Sequence, residues 1–359
     1  MKTTLKAIRV PVLILACALL LAQGCATPSR TQQEKRGTFW KGLTVFPKLT
    51  EREKQAAGGV TLDLEQVKAE ILAHVTALCE GEPRNFRNVK RLTEAGDFIA
   101  GAFEASGYRV TRQSYVVQGN TYFNVIAELP ENKPPRPSGT PPQEGNVPLV
   151  VVGGHYDVCG NTPGADDNAS AVAVMLALAK AWAPLADAAR VRVQFVAYTL
   201  EEPPFFNTDD MGSRVHAKSL SEQNVTPECV IVLEMLGYYN DGKRSQRYPS
   251  GIAKVAYPSV GNFLLALTHP SDKKAAKAFY SLARGYSNLN VEYIALPEPA
   301  ANFSDHYSYW KHGIPAFVLT DTAWYRTPHY HQRSDTPDTL DYARLAETVQ
   351  LLARYLYSR

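Results

Sequence analysis

Apolar residues recur at two different spacings along the chain, and these spacings predict where helices and strands lie. Apolar residues first recur at helical spacing, over 64–78 and over 92–103. Two strand-like runs follow, at 108–117 and 122–129, and the turn-forming residues between them suit a β-hairpin. This part of the chain predicts two helices followed by two paired strands.

Beyond residue 147 the pattern becomes one of strands alternating with helices. The predicted strands are short apolar runs, at 148–153, 191–198, 229–234 and 316–320. The predicted helices lie between and after them, at 168–182, 273–284 and 340–356. Such alternation is typical of a mostly parallel sheet covered by helices on both faces. We therefore predict an α/β fold, a three-layer sandwich with a mostly parallel central sheet.

Two stretches fall outside this alternation. Residues 131–147 are rich in Pro, Gly and Ser and predict a surface insertion. Residues 26–60 are polar and irregular, which is typical of a tether. The predicted organisation is an N-terminal segment at 1–24, a tether at 25–60 that leads into the domain, and one folded domain at 61–359.

The N-terminal segment has the pattern of an export signal. Three basic residues precede an almost unbroken apolar run at 10–22. A membrane-spanning helix needs about 20 apolar residues, so this run is too short for one and suits a signal peptide. We predict that residues 1–24 are removed on export.

The residues that follow the apolar run resemble the lipobox of bacterial lipoproteins. Small residues lead into Cys25, although Ala22 stands where Leu is usual. The resemblance implies that Cys25 is acylated and is the membrane contact of the protein. Ala26 is not the Asp that commonly retains lipoproteins at the inner membrane, so we predict an outer-membrane lipoprotein facing the periplasm. Signal cleavage at a nearby residue and an uncleaved anchor are the alternatives.

The charge of the chain resides in this export signal. The sequence has 38 basic and 35 acidic residues, and residues 1–24 hold three of the basic and none of the acidic ones. The remaining chain is formally neutral. Nucleic acid is therefore not an expected partner, because a basic surface is the main electrostatic requirement for binding it.

Three of the five cysteines lie in the predicted domain. They are Cys79, Cys159 and Cys229, an odd number for an oxidising compartment. One disulfide with one remaining thiol is possible, and the sequence does not choose the pair.

Polar residues recur where the predicted strands end. The clusters are His155-Tyr156-Asp157, Gly164-Ala165-Asp166-Asp167-Asn168, Glu201-Glu202, Glu234, and His329-Tyr330-His331. Taken singly, an Asp at a helix start is usually a cap and a Glu pair is usually solvated. In a parallel sheet, however, the carboxyl ends of the strands meet at one edge, where ligands bind. Imidazole and carboxylate groups gathered there predict a zinc site.

These motifs, in this order, resemble the co-catalytic zinc aminopeptidases, whose superfamily also includes glutamate carboxypeptidases and glutaminyl cyclases. The resemblance covers residues 64–357. It implies two zinc ions per chain, with Asp167 bridging them. One zinc would also bind Glu202 and His331, and the other would bind His155 and Glu234. Glu234 is a departure, because well-known aminopeptidases carry Asp at this position.

The resemblance also implies the catalytic residues. Glu201 would be the general base that activates a metal-bridging water. Asp157 would orient the ring of His155 by a hydrogen bond. Tyr330 would stabilise an oxyanion, or it would pack as an aromatic ring beside the metal. His306 is expected either to make a structural hydrogen bond or to contact substrate.

The expected function is that of an aminopeptidase that hydrolyses the N-terminal residues of peptide substrates. A glutaminyl-peptide cyclotransferase of the same fold is an alternative, and a non-catalytic binding lipoprotein is another. The intact Glu201 disfavours a binding module, which has no use for a base beside its metal. The pocket is expected to be formed by the loops 203–214, 237–260 and 297–309, and His216 is expected at the surface or in a loop.

Overall fold

An eight-stranded mixed sheet forms the centre of the structure, a computed structural model that describes residues 45–130 and 147–359. The strands are β1 Arg109–Val117, β2 Asn120–Glu128, β3 Leu149–His155, β4 Arg192–Tyr198, β5 Cys229–Glu234, β6 Phe263–Thr268, β7 Asn290–Ala295 and β8 Ala316–Thr320. Their order is β1-β2-β4-β3-β5-β8-β6-β7. The four central strands β4, β3, β5 and β8 are parallel to one another.

Helices cover both faces of this sheet. They are α1 Glu51–Gly59, α2 Leu64–Cys79, α3 Val89–Ala105, α4 Ala171–Trp182, α5 Gly212–Glu222, α6 Gly251–Ala256, α7 Lys274–Tyr286, α8 His306–Trp310 and α9 Tyr342–Ser358. Successive residues of β3 point to opposite faces: Val150 packs in the core with α2, α3, α4, α7 and α9, whereas Val151 packs in the core with α5 and α8. The predicted three-layer α/β fold is confirmed.

The parallel register brings the ends of the central strands to one edge. His155, the last residue of β3, pairs with Tyr198, the last residue of β4. The adjacent strand β5 ends at Glu234, which pairs with Thr320 at the end of β8. Gly154 permits this close approach, because a Cβ there would lie 2.7 Å from the carbonyl oxygen of Leu233. The loops that follow these strands therefore start side by side.

Helix α4 begins at this edge and is apolar almost throughout. Ten of its residues are buried, and five of its twelve residues are alanines. Small side chains allow the helix to lie close to the sheet while α2 and α9 cover its outer side. The segment that precedes the helix is consequently held near the strand ends.

Beside its parallel centre the sheet has antiparallel pairs toward both edges, and one of them, β1–β2, is the predicted hairpin. The pairs β1–β2, β2–β4 and β6–β8 are antiparallel. Strands β6 and β7 and helix α5 are not among the predicted elements. Short apolar runs such as that of β6 fit a strand or a buried helix segment equally well by periodicity, and pairing with a neighbouring strand decides between them.

Part of the predicted tether is folded. Helix α1 starts with a capping box, in which Thr50 accepts a hydrogen bond from the backbone of Glu53 and the Glu53 side chain accepts one from the backbone of Thr50. Ala57 is fully buried, and Arg354 on α9 donates to the Val60 carbonyl at 2.9 Å. The expectation of irregular structure up to residue 60 is therefore wrong for α1. The helix is polar, so its apolar periodicity is weak and the cap was its clearest signal.

Other predictions concern residues that are not described. The signal peptide, Cys25 and nearly all of the 131–147 insertion lie outside the described residues, and the predictions for them stand as predictions. Cys79, Cys159 and Cys229 are free thiols, so the possible disulfide is not formed. Within 45–130 and 147–359, no helix combines the length and apolar character that crossing a bilayer requires.

The core on the α3 side of the sheet should be sensitive to truncation at Phe195. Its ring is fully buried on β4, with ring centroids 5.9 Å from Phe103 and 5.6 Å from Tyr108. We expect Phe195→Ala to lower the free energy of unfolding by about 3–5 kcal/mol, because it removes buried area and leaves a cavity. The control is Phe98→Ala, at a ring that is 36% exposed on α3. If urea unfolding showed the same loss of unfolding free energy in both variants, the result would contradict this packing.

Candidate metal centre

Two histidines and four carboxylates converge at the carboxyl edge of the sheet. His155 ends β3 and Glu234 ends β5, while Glu201 and Glu202 follow β4. Asp167 lies in the irregular turn before α4, and His331 lies in the loop after β8. These six residues come from five separate segments of the chain, and each segment is placed by the strand or helix beside it.

The His155 ring lies among three of the carboxylates. Its Nε2 is 3.3 Å from Asp167 Oδ1, 3.4 Å from Glu234 Oε2 and 3.9 Å from Glu201 Oε2. The other ring nitrogen, Nδ1, lies 3.1 Å from the backbone carbonyl oxygen of Asp157. A carbonyl can only accept, so Nδ1 carries a proton, and Nε2 is the nitrogen whose lone pair becomes available to a metal once its own proton is lost. This is the ring state that binds a metal.

His331 makes a matching arrangement on the other side of Asp167. Its Nε2 is 3.2 Å from Asp167 Oδ2 and 3.2 Å from Glu202 Oε2. The two oxygens of Asp167 are therefore directed at different histidines. Asp167 lies between two half-sites, one with His155 and Glu234 and the other with His331 and Glu202.

Asp157 holds the segment that carries both glutamates. Its carboxylate accepts hydrogen bonds from the backbone amides of Glu201 and Glu202, each at 3.1 Å. Its Oδ1 is 3.6 Å from His155 Nδ1, and the bond to that ring nitrogen is made by the Asp157 carbonyl. Asp157 thus positions the two glutamates through its side chain and the His155 ring through its backbone.

Asp335 plays the corresponding part for the turn before α4. It accepts from the backbone amide of Asp166 at 2.8 Å and from that of Asp167 at 3.1 Å. Asn168 ties the same turn to β5, since it donates to the Leu233 carbonyl at 3.0 Å and accepts from the Met235 amide at 2.9 Å. The Asp335 contact was not predicted, although the acidic residue soon after His331 was a possible signal.

Arg84 is a second residue that sequence reasoning missed. Its fully buried guanidinium donates to the carbonyls of Tyr156 at 2.8 Å, Pro163 at 2.6 Å and Gly164 at 2.6 Å. These contacts close the loop that runs from His155 to Asp167. A lone arginine in an irregular stretch between α2 and α3 carries no pattern that would reveal this role.

Four buried carboxylates lie close together in the site, with two histidines to offset their charge. Asp167, Glu201, Glu202 and Glu234 are each at most 7% exposed, and their ion-pair contacts in the described residues are to histidines. Burial and the neighbouring Asp167 charge raise the pKa of Glu202 to about 8, and burial raises the pKa of Glu201 well above its usual range. Burial acts in the same direction on Asp167, but hydrogen bonds from His155 and His331 lower its pKa below the ordinary value.

The donor set fits zinc. One donor atom each from His155, Asp167 and Glu234 lie within 4.8 Å of one another, and so do those of Cys159, Glu202 and His331. Imidazole, carboxylate and thiolate are the ligands that zinc takes in proteins. The Oε1 atom of Glu202 is buried without a hydrogen-bond partner among the described residues. Such an atom needs a counter-charge, which a bound cation supplies.

A cavity of about 190 Å³ opens above these side chains. Its walls include Phe206, Phe303, Trp324 and Tyr330, whose rings are apolar. Two of the three expected loops contribute, but 237–260 does not line the cavity, and the loop after β8 contributes Trp324 instead. The Tyr330 ring stacks on the His331 ring with centroids 3.8 Å apart.

Two further histidines, His306 and His216, are held by hydrogen bonds. His306 is fully buried and donates from Nε2 to the Ala301 carbonyl at 2.6 Å, which is the structural role considered for it. His216 was expected at the surface or in a loop and is instead buried on a helix, between the Tyr309 hydroxyl at 2.7 Å and Gln194 Oε1 at 3.0 Å. Helix α5, which carries His216, was not predicted, and this explains the error.

Comparison with known proteins places the chain among peptidases. Residues 124–356 match the family described as Peptidase family M28. A protein of Escherichia coli strain K12, described as uncharacterized protein YfbL, is 38% identical over 286 residues, which are 77% of this chain and 83% of the relative.

Solved structures share the fold. The LapA aminopeptidase of Legionella pneumophila superposes with a TM-score of 0.65 at 18% identity, over 89% of this chain and 78% of that one. A Zn-dependent exopeptidase of Parabacteroides distasonis gives a TM-score of 0.57 at 19% identity, over 81% and 98%. The glutaminyl cyclase of Fimbriiglobus ruber gives 0.60 at 16% identity, over 83% and 97%.

The contact of Asp335 with two successive amides should be measurable. We expect Asp335→Asn to lower the free energy of unfolding by about 1–3 kcal/mol, because one buried amide then faces an NH₂ group in place of an acceptor. Zinc affinity should fall by about 10–100-fold, as for other residues that orient metal ligands. Asp338→Asn, at an exposed position in the same segment, is the control. Unchanged stability and zinc affinity in Asp335→Asn would contradict the positioning role.

Proposed function

The chain belongs to Peptidase family M28, and from this membership and its site we propose that it is a zinc-dependent exopeptidase of the aminopeptidase type. The observation that carries the proposal is the position of Asp167, with one oxygen directed at His155 and the other at His331. The proposed substrate is a peptide with a free N-terminus, and the proposed reaction is hydrolysis of its first peptide bond.

The proposed metal content is two zinc ions per chain. Glu202 and His331 would hold one ion and His155 and Glu234 the other, with Asp167 shared between them. Bound zinc would supply Lewis acidity toward the substrate carbonyl and lower the pKa of water. Glu234 is further fixed by Ser304, whose hydroxyl donates to Glu234 Oε2 at 2.7 Å. This bond supports a role for the longer Glu side chain at a position where related enzymes carry Asp.

Glu201 is the proposed general base. Its carboxylate faces the His155 ring at 3.9 Å and lines the cavity, and its backbone is held by Asp157. Burial raises the pKa of Glu201 well above its usual range. A carboxylate with a raised pKa can accept the proton of the attacking water and then transfer that proton to the nitrogen of the leaving amine. The same residue would serve as base and acid in one turnover.

Tyr330 has two proposed contributions. Its ring, stacked on His331, restricts the orientation of that imidazole. Its phenol is the proposed donor to the carbonyl oxygen that gains negative charge as water attacks. Burial raises the pKa of Tyr330, which keeps the phenol protonated and able to donate.

The cavity supports a preference for an apolar first residue. The Phe303 and Trp324 rings stand edge to face with centroids 6.1 Å apart, and Trp324 also contacts Tyr330 at 5.2 Å. An aromatic wall of this kind gains free energy by covering an apolar side chain. The acidic floor, with Glu201 and Glu234, is suited to the positive charge of a peptide amine.

Metal removal tests the proposed activity. We expect a strong chelator to abolish hydrolysis of aminoacyl p-nitroanilides by the purified protein, and zinc or cobalt to restore it. The reason is that the proposed reaction needs the metal ions that these side chains would bind. Metal analysis should give two zinc ions per chain. Hydrolysis that persists in the chelator would contradict the proposal. One zinc per chain with cyclisation of Gln-peptides and no hydrolysis would instead favour a glutaminyl-peptide cyclotransferase.

Glu201→Gln tests the base. The amide cannot accept a proton from water, so we expect kcat to fall by about 10²–10⁴-fold. Zinc content should change little, since Glu201 is not a proposed ligand. The exposed Glu222 on α5 provides the control Glu222→Gln, which should behave as the unmodified protein. A variant Glu201→Gln with unreduced kcat would refute the assignment while leaving the metal site intact.

A further inference from the structure

We propose that Cys159 is an additional, sulfur ligand to the cation held by Glu202 and His331. The Cys159 Sγ, a Glu202 carboxylate oxygen and a His331 ring nitrogen all lie within 4.8 Å of one another. The inference rests on the proposed zinc-dependent function, but it concerns a residue that the two-histidine, three-carboxylate ligand set does not include. A sulfur ligand would make the half-site of His331 and Glu202 chemically different from the half-site of His155 and Glu234.

The loop that carries Cys159 is held in place by several hydrogen bonds. The Cys159 carbonyl accepts from the Thr162 amide at 3.3 Å and from the Thr162 hydroxyl at 2.9 Å. On either side, the Val158 amide donates to the Arg84 carbonyl at 3.3 Å and the Asn85 side chain donates to the Gly160 carbonyl at 2.5 Å. The backbone that carries the Cys159 thiol is therefore held in place by the fold.

The neighbouring Glu202 supplies a second, independent indication. It is 4% exposed, its Oε2 faces His331 at 3.2 Å, and its Oε1 has no hydrogen-bond partner among the described residues. A buried carboxylate oxygen that lacks a donor is stabilised by a cation. The half-buried thiol of Cys159 lies beside this carboxylate, where it could complete the coordination of that cation.

The chemistry of the donors follows from this placement. Zinc in proteins takes four or five ligands, so Asp167, Glu202, His331 and Cys159 would offer four donors and leave a fifth position for water or substrate. Binding would release the thiol proton to solvent, since the metal ligand is the thiolate. A thiolate is a soft donor, so this half of the site should favour zinc or cadmium over manganese or magnesium. The half with His155 and Glu234 has only nitrogen and oxygen donors.

The other described cysteines provide matched controls. Cys79, at the end of α2, is also partly exposed, and Cys229 is buried in β5. Neither belongs to a group of metal donors in the described residues. Cys79→Ser is the closer control, because it replaces a free thiol of similar exposure.

X-ray absorption spectroscopy of the zinc-loaded protein tests the sulfur ligand. We expect a zinc–sulfur distance of about 2.3 Å in the unmodified protein and in Cys79→Ser, but only nitrogen and oxygen ligands at about 2.0–2.2 Å in Cys159→Ser. The cobalt-loaded protein should show a thiolate-to-cobalt charge-transfer band that is lost in Cys159→Ser alone. Zinc affinity at one of the two sites should weaken at least about tenfold.

Two measurements keep the outcomes distinct. Two zinc ions per chain with no sulfur ligand would overturn this inference and leave the proposed function intact. Absence of zinc binding would overturn both the inference and the proposed function. If Cys159→Ser does not fold, thiol labelling of the unmodified protein decides. Mass spectrometry should find Cys159 labelled in the metal-free protein and protected by zinc, with Cys79 labelled equally in both. Equal labelling of Cys159 in both states would refute the ligand role.

Discussion

The structure depends on the burial of four carboxylates at one edge of a parallel sheet. Asp167, Glu201, Glu202 and Glu234 lie within reach of two imidazole rings. Neutralising so much buried negative charge with two histidines alone is unfavourable, and a bound divalent cation would remove the conflict. Both the stability of the site and its chemistry therefore depend on positive charge that offsets these carboxylates.

The surrounding structure is organised to hold those carboxylates through their backbones. Asp157 binds the amides of Glu201 and Glu202, and Asp335 binds those of Asp166 and Asp167. Arg84 closes the loop between them by binding three of its carbonyls. Each of these buried charges is satisfied by main-chain groups, so it fixes a ligand-bearing segment without competing for the cation.

The peptidase fold leaves the pocket free to vary around this fixed floor. The aromatic wall of Phe206, Phe303 and Trp324 comes from three loops that follow β4, β7 and β8. Loops of this kind can change in length without altering the strand register that places His155 and Glu234. An aminopeptidase and a glutaminyl cyclase share the fold at under 20% identity, which agrees with a constant sheet and variable loops.

The sequence by itself determined the α/β class and the polar clusters at the strand ends, because both depend on short-range patterns and on motif order. His155, Asp167 and His331 could be selected for this reason. It missed Arg84, Asp335, strands β6 and β7 and the proximity of Cys159 to Glu202, and its prediction for the position of His216 was wrong. Those features arise from contacts between distant segments, which local periodicity does not encode. Only the tertiary structure decided which side chains meet, since the register of neighbouring strands sets the distances between them.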